Sequence, residues 1–259
     1  MWKWIDWHAP RLVDVQTVRR GWANMDLDLK AVNQSLESAS PQEILVWAEN
    51  AFSGKIAMSS SFQTQSVPLL HMVSSTFPQL PILFIDTGYH FPETIAFRDR
   101  LVDSMGLNHV VLKSEQQMED GAFQVGKALY LTNPDLCCHI RKVEPMRKAV
   151  GNYRAWISGI RRDQSATRAG IRVVENTGEQ HIRIHPMINW SQADVQRYIT
   201  QNDLPEHPLG ARGFVSIGCA PCTRPPLLGE DPRSGRWVGA GKTECGLHTT
   251  LRDSTEEEK

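Results

Sequence analysis

Cysteine is scarce in this chain: five in 259 residues, an odd count. No disulfide framework uses an odd number of thiols completely, so metal ligation or catalysis is the better expectation for them. The chain also lacks an excess of either charge, with 28 basic residues against 29 acidic ones and a net charge of -1. That excludes a bulk nucleic-acid binder and requires any anion-binding surface to be local. Long apolar runs are missing too: Ile44–Ala48 and Ile82–Ile85 are the longest, far short of a membrane span. The opening residues, Met1-Trp2-Lys3-Trp4-Ile5-Asp6, contain no apolar stretch of the secretory type. The expectation is a cytoplasmic protein whose partners are neither nucleic acid nor membrane. There is no G-x-G-x-x-G fingerprint and no Walker A loop, since Gly54-Lys55 lacks the preceding glycine. The nine histidines show no metal-ligand spacing, and there is no internal repeat.

What is present is an ordinary globular composition, 41% hydrophobic and 22% charged, in a chain long enough to bury a large core. Trp2, Trp4, Trp7 and Trp22 read as an N-terminal arm packed on the core or on a neighbouring subunit, which a homo-oligomer would accommodate. Ser40-Pro41-Gln42-Glu43 is a capping box with proline at the first helical position, predicting a helix to about Phe52. Strands are predicted at Lys55–Ser59, Pro81–Ile85, His109–Leu112 and Arg154–Ser158, with a short further one at Ile182–His185. Helices are predicted at Thr64–Val73, at Pro92–Met105 and for about twelve residues after Ser191. This alternation predicts an α/β fold, a doubly wound and mostly parallel sheet covered on both faces. Residues 1–40 read as an N-terminal arm and helices, and 41–204 as a nucleotide-binding α/β unit. Residues 205–259 read as an irregular, mobile C-terminal segment rich in glycine and proline, all within one structural domain. Ligands of such sheets bind at the carboxyl ends of the strands. The turns Ser59–Ser61, Asp86–Gly88 and Gly159–Arg162 should therefore converge on one crevice.

The cysteines divide by spacing. Cys137 and Cys138 are adjacent, and Cys219 and Cys222 form a C-x-x-C pair. Two pairs favour one four-thiolate site. Zinc closes tetrahedrally around a single point, an awkward target for two adjacent sulfurs, whereas a four-iron cluster offers each thiolate its own iron. Unligated thiols are the bland alternative. Cys245 stands apart in Glu244-Cys245-Gly246-Leu247-His248, on a glycine-rich arm able to reach a cleft. Lys142 lies four residues after Cys138, one helical turn along the same face if the segment is helical. Arg161 and Arg162 follow the fourth strand, and Arg233 and Arg236 lie in the C-terminal arm. Guanidinium forks suit sulfate and phosphate, although any one of these residues could be a solvated surface charge.

These elements together form a recognisable set. Ser59-Ser60-Ser61-Phe62, Asp86-Thr87-Gly88, Cys137-Cys138-x-x-Arg141-Lys142, Gly159-Ile160-Arg161-Arg162-Asp163-Gln164, Gly218-Cys219-Ala220-Pro221-Cys222 and Glu244-Cys245-Gly246-Leu247-His248 resemble the assimilatory adenylyl-sulfate and phosphoadenylyl-sulfate reductases. The likeness runs from about Glu43 to His248. It implies an adenine-nucleotide α-hydrolase-like fold and a 4Fe-4S cluster on Cys137, Cys138, Cys219 and Cys222. It implies Cys245 as the nucleophile that receives the sulfo group of adenylyl sulfate, with thioredoxin or a glutaredoxin-like dithiol as electron donor. By motif position, Lys142, Arg233, Arg236 and His248 would contact the phosphosulfate, and Ser59, Ser60, Thr87, Gly88, Gly159 and Arg162 would line the nucleotide pocket. One departure is Gln63, which stands where many members have a glycine. A cluster favours the nucleotide without a 3′-phosphate, while Phe84–Thr94 and the serine-rich loop look closer to the 3′-phosphate-using branch. A nucleotide-activating or tRNA-thiolating enzyme on the same fold and a zinc-stabilised binding module are the competing classes.

Overall fold

The computed structural model describes residues 27–114, 129–177, 181–231, 233–242 and 244–247. The tryptophan-rich start and His248 lie outside them. Helix α1, Leu29–Leu36, is capped by Asp28, whose carboxylate accepts from the amides of Lys30 and Ala31. Helix α2, Pro41–Phe52, starts at the expected capping box, with Ser40 and Glu43 exchanging side-chain and backbone hydrogen bonds. Such a box stabilises a helix start by about 1 kcal/mol. Strand β1, Ile56–Ser59, leads through a 3₁₀ turn at Thr64–Ser66 into α3, Val67–Thr76. Strand β2, Ile82–Ile85, is followed by α4, Pro92–Met105, and strand β3, His109–Leu112.

After a short turn at Leu129–Thr132, helix α5, Pro134–Cys138, opens on an Asn133 cap. A π-helical turn, His139–Val143, connects it to α6, Glu144–Val150. Strands β4, Ala155–Ser158, β5, Val174–Asn176, and β6, Ile182–Ile184, complete the sheet, and α7, Gln192–Gln201, follows from a second capping box at Ser191. Among the described residues, no helix is long and apolar enough to cross a membrane.

The sheet order is β3-β2-β1-β4-β6-β5. Every pairing is parallel except β5 with β6, which is antiparallel. The doubly wound expectation holds; the antiparallel edge strand β5 is an addition to it. The Asn33 side chain in α1 braces that edge by donating to the carbonyl of Val174 at 2.8 Å and accepting its amide at 2.9 Å. The period-two alternation of strand residues sorts the core. Ile56, Met58, Ile82, Phe84, Ala155 and Ile157 face the larger cluster, with α2, α3, α4 and α7. Ala57, Leu83 and Trp156 face Met146 and Val150 of α6 on the other side. Burying each large apolar side chain contributes roughly 1.5–3 kcal/mol, so both faces resist solvation and the strand ends are held in fixed register. Strand order reverses between β1 and β4, where Ser59 pairs with Ser158. Open α/β sheets bind ligands at this switch point.

Candidate active site

The three turns converge as expected. A crevice, partly open to solvent, is lined by Ser59, Ser60, Thr87 and Gly159 from the strand ends and by Lys142, Arg233, Arg236 and Cys245. The serine loop is held by Phe62, whose φ of 51° is unusual for a non-glycine residue. Its fully buried ring packs edge-on to Phe84 at 5.6 Å, which fixes the strained turn. Gln63, the departure from the family pattern, ties this loop to the cysteine segment: its side chain donates to the carbonyl of Ile217 and accepts the Ile217 amide.

Two of the expected residues lie off the crevice wall. Arg162 turns away from the crevice because its guanidinium finds Glu37 at 2.7 Å, the Ile171 carbonyl at 2.8 Å and Asn189. Gly88 is absent from the crevice wall; its amide donates to Asp86 at 2.9 Å and shapes the turn that presents Thr87. Arg161 is buried and bonded to Asp163, Gln65 and Gln192, a structural tie. Arg168 takes the place expected of Arg162: it lines the crevice and donates to both oxygens of Glu244 at 3.1 Å. No local motif in the sequence singles out Arg168; its signal is the acidic residue beside Cys245, 76 positions away.

Four thiols meet beside the crevice. Cys137, Cys138, Cys219 and Cys222 all line a smaller cavity together with Tyr89, Arg141, Lys142 and Trp237, and all four are free of disulfides. Thr87 and Cys219 are hydrogen-bonded at 3.2 Å, and the Ala220 amide donates to Tyr89 at 2.7 Å, fastening this pair to the turn after β2. The π turn follows from Pro145, which has no N–H to offer the carbonyl four residues back and crowds it in an α-helix. The chain widens instead, and the Glu144 amide reaches back to His139. Such widened turns gather at functional sites. Here the π turn directs Arg141 to the Thr87 carbonyl at 3.0 Å, over the Tyr89 ring, and Lys142 into both cavities.

The electrostatics match this crowding. Burial, then repulsion from Cys138 and Cys219, pushes the Cys137 thiol up to about 11. Burial likewise raises Cys138, opposed by Lys142, and raises Cys222, with Cys219 adding to the effect. Burial works against the charge on Lys142, but the sulfurs of Cys219, Cys245 and Cys138 outweigh it and hold its pKa above the usual lysine value. A positively charged centre among the thiols would relieve their mutual repulsion. Among the described residues, no three His, Cys, Asp or Glu side chains are grouped closely enough to hold a metal ion. The donor set of four thiolates around one cavity is the set a 4Fe-4S cluster uses, one per iron.

Arg236 is the second buried cation. Burial, then the neighbouring Arg233, lowers its pKa from the usual arginine value. Its guanidinium lies 4.4 Å from the Trp237 ring centroid and donates to Ser216 and to the Ile217 carbonyl. Its Nε has no hydrogen-bond partner among the described residues. An unsatisfied buried donor in a crevice wall suits an anion.

A model of the phosphoadenosine phosphosulfate reductase domain matches residues 55–225. The chain belongs to this family. It is an oxidoreductase acting on a sulfur group. A Streptomyces coelicolor protein named adenosine 5′-phosphosulfate reductase is 43% identical over 228 residues, covering 85% of this chain and 95% of its own. A Chelativorans protein of the same name is 48% identical over 209 residues, covering 80% and 85%. Among solved structures, the phosphoadenylyl-sulfate reductase of Candida auris superposes with a TM-score of 0.65 at 30% identity, covering 76% of this chain and 96% of that one. Cys245 opens onto the crevice lined by the strand-end serines.

Proposed function

We propose that the chain reduces adenosine 5′-phosphosulfate to sulfite and AMP in assimilatory sulfate reduction in the cytoplasm, with a thioredoxin-like dithiol as electron donor. The observation that carries this reading is that Cys245 shares one crevice wall with Lys142, Arg168, Arg233 and Arg236, at the switch point of the sheet. A soft nucleophile facing a cluster of cations suits transfer of a sulfo group from an anionic nucleotide.

In the proposed reaction the Cys245 thiolate attacks the sulfur of the sulfo group. The S–O bond to the phosphate breaks, AMP leaves with that electron pair, and Cys245 becomes an S-sulfocysteine. Lys142 and the arginines stabilise the charge that develops on the leaving phosphate. One thiol of the donor then attacks Cys245 Sγ and expels sulfite, and its second thiol resolves the mixed disulfide. The two electrons come from the dithiol, and Cys245 returns as a thiol. Ser59, Ser60, Thr87 and Gly159 are proposed to hold the nucleotide. Cys137, Cys138, Cys219 and Cys222 would hold a 4Fe-4S cluster, which when bound supplies a fixed field beside Lys142. The lining of one cavity by all four thiols supports this reading, because a four-iron cluster takes one thiolate per iron.

A second reading, the same reaction on 3′-phosphoadenosine 5′-phosphosulfate, is favoured by the likeness to the Candida auris enzyme. Anaerobic purification decides both points. The protein is expected to carry iron with acid-labile sulfide, with visible thiolate-to-iron absorbance, and to show the higher kcat/KM on adenosine 5′-phosphosulfate. Stoichiometric zinc would refute the cluster, and a strong preference for the 3′-phosphorylated nucleotide would select the second reading.

Gly218 tests the place of Arg236. A Cβ at this position would stand 2.2 Å from Arg236 Nη2 and 2.5 Å from its Cζ. Gly218→Ala is expected to leave the fold intact while displacing the guanidinium, raising KM about tenfold, the scale of one charge-assisted hydrogen bond. Steady-state kinetics check this; an unchanged KM would remove Arg236 from the substrate site.

A further inference from the structure

Cys245 is flanked by two clasps of different chemistry. On one side, the Glu244 carboxylate accepts from Arg168 at 3.1 Å through each oxygen and from Arg233 at 3.3 Å. On the other, the Leu247 carbonyl accepts from Arg183 Nη2 at 3.0 Å. The Leu247 side chain packs against the core cluster that includes Trp156, whose ring centroid lies 4.1 Å from the Arg183 guanidinium. Arg183 does not line the crevice, whereas Arg168, Arg233 and Glu244 all do.

The charges are unequal. Lys142, Arg168, Arg233 and Arg236 face the crevice, and among the described residues Glu244 is the one carboxylate in its wall. The Arg168 and Glu244 side chains are only 9% and 12% exposed. Both carboxylate oxygens accept from one Arg168 nitrogen, Nη2, a donor that a sulfate or phosphate oxygen would use as well. A buried guanidinium left without an anion is costly, so an anion beside Arg168 is favoured whether or not substrate is bound.

We propose that Glu244 is an internal anion that occupies Arg168 and Arg233 until the anionic group of the substrate takes its place. Substrate binding and release of the Glu244 clasp are then one exchange. The Leu247 clasp, which makes no use of the crevice cations, keeps the arm tethered while Cys245 gains freedom to approach the bound nucleotide. Glu244 is a positioning residue in this scheme. The inference rests on the reading that the crevice takes an adenylyl sulfate.

The test uses the full-length protein with AMP and inorganic sulfate as probes. Glu244→Gln removes the competing charge, so AMP is expected to bind about tenfold more tightly than to wild type by calorimetry. The rise in Tm on adding AMP should also be larger in the variant, because the ligand no longer competes with the Glu244 carboxylate for Arg168. In wild type, AMP with saturating sulfate should accelerate alkylation of Cys245 by iodoacetamide, whereas in Glu244→Gln the rate should already be high and insensitive to the anions. Equal or weaker AMP binding by a folded Glu244→Gln protein would overturn the exchange. If that variant does not fold, the wild-type alkylation decides alone, and an anion-insensitive rate overturns it. Wild type that binds no AMP would instead sink the underlying assignment of the crevice, and the exchange with it.

Discussion

Cys245→Ser is expected to abolish sulfite release while AMP binding and the visible absorbance of the four-thiol site persist. The geometry separates the two kinds of cysteine. Cys245 lines the crevice but is absent from the walls of the smaller cavity that Cys137, Cys138, Cys219 and Cys222 share. Its neighbours Glu244 and Leu247 carry the contacts that dock the arm, so exchanging one γ-atom leaves the docking in place. A serine hydroxyl is a far weaker nucleophile at neutral pH and forms no disulfide with the donor dithiol. The rate should fall by at least about four orders of magnitude, the scale of losing a nucleophile while binding and electrostatics remain. Sulfite release, AMP titration and the visible spectrum check the three parts. Sulfite release within tenfold of wild type would end the nucleophile assignment; loss of the absorbance would place Cys245 in the metal site.

Lys142→Met should have the next largest effect. Among the described residues, Lys142 is the one cation that lines both the larger crevice and the four-thiol cavity. Methionine keeps the apolar stem and removes the charge. If the ammonium acts on charge that develops on the leaving phosphate, kcat should fall about 10²–10³-fold with a smaller change in KM, the range seen when one preorganised donor is removed. A variant in which KM rises and kcat holds would show that Lys142 binds ground state and transition state equally. The charge also offsets the repulsion among the thiols, so the variant should assemble its metal site less readily, as iron content per chain will show.

Local sequence signals account for much of the fold. The capping boxes at Ser40 and Ser191 and the helix Pro92–Met105 appear where the sequence places them. The strands shift by one residue at an end. These signals are legible because each depends on residues within about one turn of each other. Strand β5 escaped because Val174–Asn176 is three residues long, lies at an edge, and owes its bracing to Asn33, 141 positions away. The π turn has a local cause in Pro145, yet its consequence, Lys142 entering two cavities, depends on where the Cys219–Cys222 segment packs against Tyr89 and Trp237.

By itself the sequence determined the order of elements, the division of the cysteines into four and one, and the strand ends that meet in the crevice. Those are matters of spacing and of periodic burial, which a linear chain carries in full. Only the tertiary structure decided which arginines face the crevice and how the Cys245 arm rests. A guanidinium sits at the end of a long flexible stem and goes wherever a distant acid or carbonyl satisfies it. Arg162 therefore left the crevice for Glu37, and Arg168 entered it for Glu244.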